Sequence, residues 1–94
     1  MLRDYELVLI VKPEVQEEGV KVILDKVGQT LAARGGSIDE TTPWGKRRLA
    51  YPVKHYREGN YVLLKCKLSP DSVGDIETSL KLSEDVLRHM LSRA

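Results

Sequence analysis

The residues best able to do chemistry in this 94-residue chain lie together between Pro43 and Tyr61, in the run PWGKRRLAYPVKHYREGNY. Lys46, Arg47 and Arg48 are consecutive, and Lys54, His55 and Arg57 follow. The only Trp, Trp44, and three of the four Tyr, Tyr51, Tyr56 and Tyr61, are interleaved with them. Guanidinium forks grip phosphates and flat rings stack on unpaired bases, so the mixture fits RNA better than it fits a folding core. The bland alternative is a solvated strand face.

Charge sharpens the reading. The net charge is only +1. From Glu14 to Thr42, however, six acidic residues face three basic ones, and from Pro43 to Lys67 seven basic residues face one acidic. A balance near zero argues against a nucleic-acid partner; the local basic stretch restores it.

Catalysis finds less support. Neither His55 nor His89 lies near a Ser or Cys in a recognisable nucleophile pattern. Cys66 falls on a strand face that reads as buried, where a thiol is inert. No C-x-x-C cluster offers a metal site. Gly35-Gly36 and Gly45 lack the spacing of a phosphate loop. The expectation is a binding protein with no catalytic residue, cofactor or metal. A lone Cys makes no internal disulfide, which points to a reducing, cytoplasmic compartment. The longest apolar run, Leu7 to Val11, is too short to span a membrane, and no N-terminal signal pattern precedes it.

The elements that must position these residues follow from periodicity. Arg3 to Lys12 alternates as a central strand, with Leu7, Leu9 and Val11 on one face and Val8 and Ile10 on the other. Glu14 to Arg34 predicts a helix, with Val20, Ile23, Leu24, Val27 and Leu31 as its apolar side and Gly35-Gly36 as its end. Ser37 to Val53 reads as a long strand interrupted at Thr42–Gly45. Pro43 and Pro52 place it at an edge, and Gly45 fits a bulge. Tyr56 to Asn60 carries the residues of a hairpin turn. In Tyr61 to Leu68 the set Val62, Leu64, Cys66 and Leu68 reads as buried and Tyr61, Leu63, Lys65 and Lys67 as open. Ser69-Pro70 predicts the capped start of a second helix with Val73, Ile76 and Leu80 inward. Val86 to Leu91 is a last short strand.

The order is β-α-β-β-α-β over a single domain, residues 1–94. It predicts an α+β, ferredoxin-like architecture: a four-stranded antiparallel sheet with two helices packed on one face. The other sheet face stays open. Alternation sends Arg47 to one face and Lys46 and Arg48 to the other. Val8, Ile10 and Leu63 fall on the open face, where grouped apolar side chains call for a protein partner. The third strand offers Tyr61 but then Leu63 and Lys65, which departs from the aromatic pattern of an RNA recognition motif. Phosphate and shape recognition by the basic patch is expected instead of base stacking on the sheet. Acylphosphatase resembles this order in topology only, since Lys12-Pro13-Glu14-Val15 stands where its Gly-rich loop would be.

The whole chain, from RDYELVLIVKP to VLRHM, resembles the bacterial small-subunit ribosomal protein number six family. The most specific piece is WGKRRLAYPVKHYREGNYVLL, with Gly45, Arg47, Arg48, Leu49, Ala50, Tyr51 and Pro52 as the family has them. The Tyr5-Glu6 start, Pro13 and the S-P-D opening of the second helix also agree. The resemblance implies a ferredoxin-like fold and a structural role in the 30S subunit. It implies pairing with ribosomal protein number eighteen and joint binding to the central domain of 16S ribosomal RNA. It carries Arg47, Arg48 and Tyr51 over as RNA-binding residues. Charge and position add Arg3, Trp44, Lys46, Lys54 and Arg88. The family often has a charged C-terminal extension, whereas this sequence runs to Ala94, just past the last strand. A competing reading is a small regulatory ligand-binding module of the same topology, with an effector near the first loop and helix. The Glu-rich segment Glu14–Glu18, with no Gly-rich turn before it, speaks against that.

Overall fold

The computed structural model describes residues 1–94. Its elements run β1 (Arg3–Val11), α1 (Glu17–Ala33), β2 (Ser37–Val53), β3 (Tyr56–Leu68), a 3-10 turn (Pro70–Ser72), α2 (Val73–Leu82) and β4 (Val86–Arg93). The strands form one sheet in the order β2-β3-β1-β4, with every neighbouring pair antiparallel. This is the expected ferredoxin-like order, with β1 and β3 central and β2 at an edge.

Alternation decides which face is covered. Tyr5, Leu7, Leu9 and Val11 of β1 stand in register with residues of β3 that include Val62, Leu64 and Cys66. They join Ile23, Val27 and Leu31 of α1 and Ile76 and Leu80 of α2 in one core. Leu9, Val11, Leu64 and Leu68 have no measurable exposure. Both helices therefore sit on that face, and the opposite face is open.

Local chemistry sets the boundaries, and it moves some of the expected ones. Helix α1 begins at Glu17 rather than Glu14, with Gln16 as an extended N-cap. Val15 N–H donates to the Lys12 carbonyl, so residues 13–15 form a turn off the strand. Gly35, at φ +78, ends α1, and Gly36 N–H donates to Leu31 O while Gly35 N–H donates to Ala32 O. This is a Schellman closure. The Ser69 hydroxyl accepts from Asp71 N–H and Pro70 opens the turn that leads into α2. Strand β2 is continuous, and its expected interruption is a change of register between Pro43 and Gly45. The hairpin turn lies at Lys54-His55, not within Tyr56–Asn60, and both turn residues have positive φ, 50 and 73. Strand β4 runs on to Arg93.

One face assignment needs correction. Val8 and Leu63 are half-buried on the open face, but Ile10 is only 3 % exposed. Ile10 lies between Tyr61 and Arg88 in register. It also abuts Gly59, where a Cβ would come within 2.5 Å of Ile10 Cγ2. It fills a notch under the β2–β3 hairpin instead of offering itself to a partner.

Candidate nucleic-acid interface

Past the Lys46–Asn60 pair β3 has no further partner in β1, so the β2–β3 hairpin runs on as an arm, and two irregularities aim the hairpin's side chains. The first is Gly45, whose φ of +81 is the left-handed conformation of a bulge residue. The bulge leaves Trp44 stacked beside Tyr61, with centroids 6.5 Å apart and planes 19° from parallel. The Arg47 guanidinium lies 5.4 Å from the Trp44 ring. Lys46 and Arg48, opposite Asn60 and Glu58 in register, alternate to the reverse side of the arm.

The second irregularity spans residues 49–52, which have only Arg57 to oppose them between the Arg48–Glu58 and Val53–Tyr56 pairs. The slack bends the arm across the end of the sheet. Tyr51 thereby reaches β4, where its hydroxyl accepts from Arg88 Nη1 and its ring faces the Arg88 guanidinium at 5.7 Å. The base of the arm is tied on the other side. The Tyr56 hydroxyl donates to Glu14 Oε2 at 3.1 Å, and the Lys12 ammonium lies 5.9 Å from the Tyr56 ring. The bond to Glu14 favours the neutral phenol and raises the Tyr56 pKa above its ordinary value. Asn60 Nδ2 donates to the Val15 carbonyl and fixes the loop before α1.

Trp44, Arg47, Tyr51 and Arg88 thus come together on the open side, with Tyr61 as a fifth member. Lys46 and Arg48 occupy the back of the arm and Lys54 its tip. Arg3 stands apart. It pairs with Leu68, whereas Arg88 pairs with Ile10. Seven residue steps along β1, from Arg3 to Ile10, separate the two levels, roughly 23 Å at strand rise. Next to the cationic level is an apolar one, where Leu63, Val8 and Met90 are in register across β3, β1 and β4. Met90 is 44 % exposed. Sequence reasoning misses it as a partner residue, although its alternation with Arg88 in β4 is a signal that could find it. Tyr61 escapes the RNA set for a different reason: only the bulge at Gly45 brings Trp44 against it.

Other features are less directed at a partner. A groove of about 550 Å³ runs between α1 and the arm, with Val15, Val20, Leu24 and Pro43 among its walls and Lys46 on its rim. The Cys66 thiol is buried beside the Tyr5 carbonyl, at 3.8 Å. Burial first, and the Asp39 charge second, push its pKa up to about 11. No three His, Cys, Asp or Glu side chains gather as they would around a metal ion. No helix is long and apolar enough to cross a membrane.

Known proteins give this geometry a context. The family model described as Ribosomal protein S6 matches residues 4–93. The small ribosomal subunit protein bS6 of Dehalococcoides mccartyi strain CBDB1 is 47% identical over 89 residues, covering 95% of this chain and 82% of its own. That of Moorella thermoacetica is 37% identical over 92 residues, covering 98% and 94%. The crystal structure of 30S ribosomal protein S6 from Thermotoga maritima superposes with a TM-score of 0.88 at 25% identity, over 100% of this chain and 89% of that one. Fold and relatives together define a structural protein of the small ribosomal subunit, cytoplasmic in bacteria. Within that class, the chain belongs to the ribosomal protein S6 family.

Proposed function

We propose that residues 1–94 act as one non-catalytic domain that binds the central domain of 16S ribosomal RNA together with ribosomal protein number eighteen. The observation that carries the RNA reading is the grouping of Arg47 on Trp44 and Arg88 on Tyr51, on one side of the arm. Each guanidinium lies against a ring, which restricts its orientation and leaves N–H edges free for phosphate oxygens. Lys46 and Arg48 on the reverse side, and Lys54 at the tip, extend the positive surface around the arm. Arg3, at the far end of the sheet, serves a separate contact. The level of Leu63, Val8 and Met90 is the docking surface for the protein partner. Ile10 supports that surface from beneath.

Adjacent partner and RNA surfaces predict cooperative assembly. Binding to a 16S central-domain fragment should be weak for the chain alone and tighter with the partner. It should also fall as salt rises, because each neutralised phosphate releases condensed counterions. The test is a titration with and without the partner at two salt concentrations. No binding in either case returns the arm to a solvated strand face.

A further inference from the structure

The arm does more than present its own cations. Its bend carries the tip to the corner between α2 and β4, where a second depression of about 230 Å³ forms. Lys54 from the hairpin turn, Lys81 from the last turn of α2, and Arg88 and His89 from β4 surround it, over a floor that includes Leu80 and Leu87. Lys54, Lys81 and Arg88 are exposed, and none takes part in an ion pair. Arg88 bonds only to the Tyr51 hydroxyl, a neutral group. No carboxylate lines the depression. The nearest one in contact with a wall residue is Glu77, 3.8 Å from His89 Nε2 on the helix side. Three elements therefore line one depression with cations and no carboxylate, the only opposing charge being the partial one at the C-terminal end of α2 beside Lys81. Such a cluster repels itself until an anion occupies it, and a low-dielectric floor strengthens the attraction for that anion.

We propose that this pocket holds one phosphate group of the RNA backbone, gripped by Lys54, Lys81 and Arg88. The inference rests on the RNA-binding reading above and extends the RNA contact from the arm onto α2. It also assigns a purpose to the Tyr51–Arg88 contact, which positions Arg88 between the arm and the pocket.

Lys81 gives the cleanest test because it lies outside the arm and is exposed on a helix. In the titration of the chain plus partner with the central-domain fragment, Lys81→Gln should weaken binding about threefold to tenfold at low salt and flatten the salt dependence by roughly one phosphate. Lys81→Arg should restore both, and Lys26→Gln, a charge loss on α1 outside the pocket, should change neither. Unchanged affinity and slope in Lys81→Gln, with Arg48→Ala still impaired, overturns the pocket and leaves the arm as the RNA surface. Absence of salt-dependent binding by the wild type overturns both. A parallel titration with inorganic phosphate, followed by the His89 imidazole resonances, separates the sources. Saturation by phosphate without any Lys81 effect on RNA assigns the pocket to the free anion and overturns the backbone contact.

Discussion

Strand β1 buries five of its nine residues, whereas no residue from Ser37 to Glu58 is buried. The two regions belong to one sheet but are held on different terms. β1 is fixed by side chains against both helices. The arm is fixed by backbone pairing within the hairpin and by a few ties: Tyr51 to Arg88, Tyr56 to Glu14, and Gly59 over Ile10. The difference separates folding residues from binding residues along the chain. Charge can accumulate on the arm because nothing there must be desolvated to fold.

Substitutions can break that separation or sharpen it. Leu64→Ala removes a fully buried side chain of β3, beside Leu7 of β1 in the shared core, and should cost about 3 kcal/mol in urea unfolding. Arg48→Ala, on the arm, should stay within about 0.5 kcal/mol; a loss comparable with that of Leu64→Ala would erase the distinction. Gly59→Ala tests the seam between the regions. Its Cβ meets Ile10 Cγ2 at 2.5 Å and the Val11 carbonyl at 3.1 Å. Overpacking there should cost about 2 kcal/mol, read as a lower denaturant midpoint with an unchanged slope. On the binding side, Arg47→Ala and Arg48→Ala should each weaken RNA binding about fivefold to tenfold at low salt, with the melting temperature unchanged.

The smallest effect concerns pH. The Cys66 thiol has its pKa raised from 9.0 to about 11 by burial and by Asp39, so the folded state holds the proton more tightly than the unfolded state does. Its contribution is complete below about pH 9 and declines as pH rises toward about 11. The stability difference between the wild type and Cys66→Ala should therefore narrow across that window in urea titrations. A constant difference would mean that the thiol gains no proton affinity on folding.

Much of this architecture is legible in the amino-acid sequence. Period-two alternation in β3 identifies Val62, Leu64, Cys66 and Leu68 as core, because one face of that strand is helix-covered and the other is not. Pro43 and Gly45 mark an edge with a bulge for reasons of missing donors and positive φ. The turn is harder to place, because Gly59-Asn60 carries the usual turn chemistry and Lys54-His55 does not. Gly59 is there to let Ile10 approach, and Asn60 to bond the Val15 carbonyl. Those demands come from residues some 45 positions away in sequence, as the Asn60–Val15 bond illustrates. The same holds for the cationic pocket: Lys54, Lys81 and Arg88 share no sequence pattern, and only the bend of the arm unites them.

The turn at Lys54-His55 places two side chains in left-handed backbone, a conformation costing roughly 1–2 kcal/mol per non-glycine residue. Both turn side chains are exposed, so neither gains burial of its own to compensate. The tip is locally strained, because two residues with a Cβ occupy a backbone region that a Cβ disfavours. Amide exchange should accordingly be fastest at the tip and slowest in β1, with the arm fraying and reclosing while the core stays shut. A chain built this way can let its arm search for an irregular RNA surface without loosening the domain that carries it.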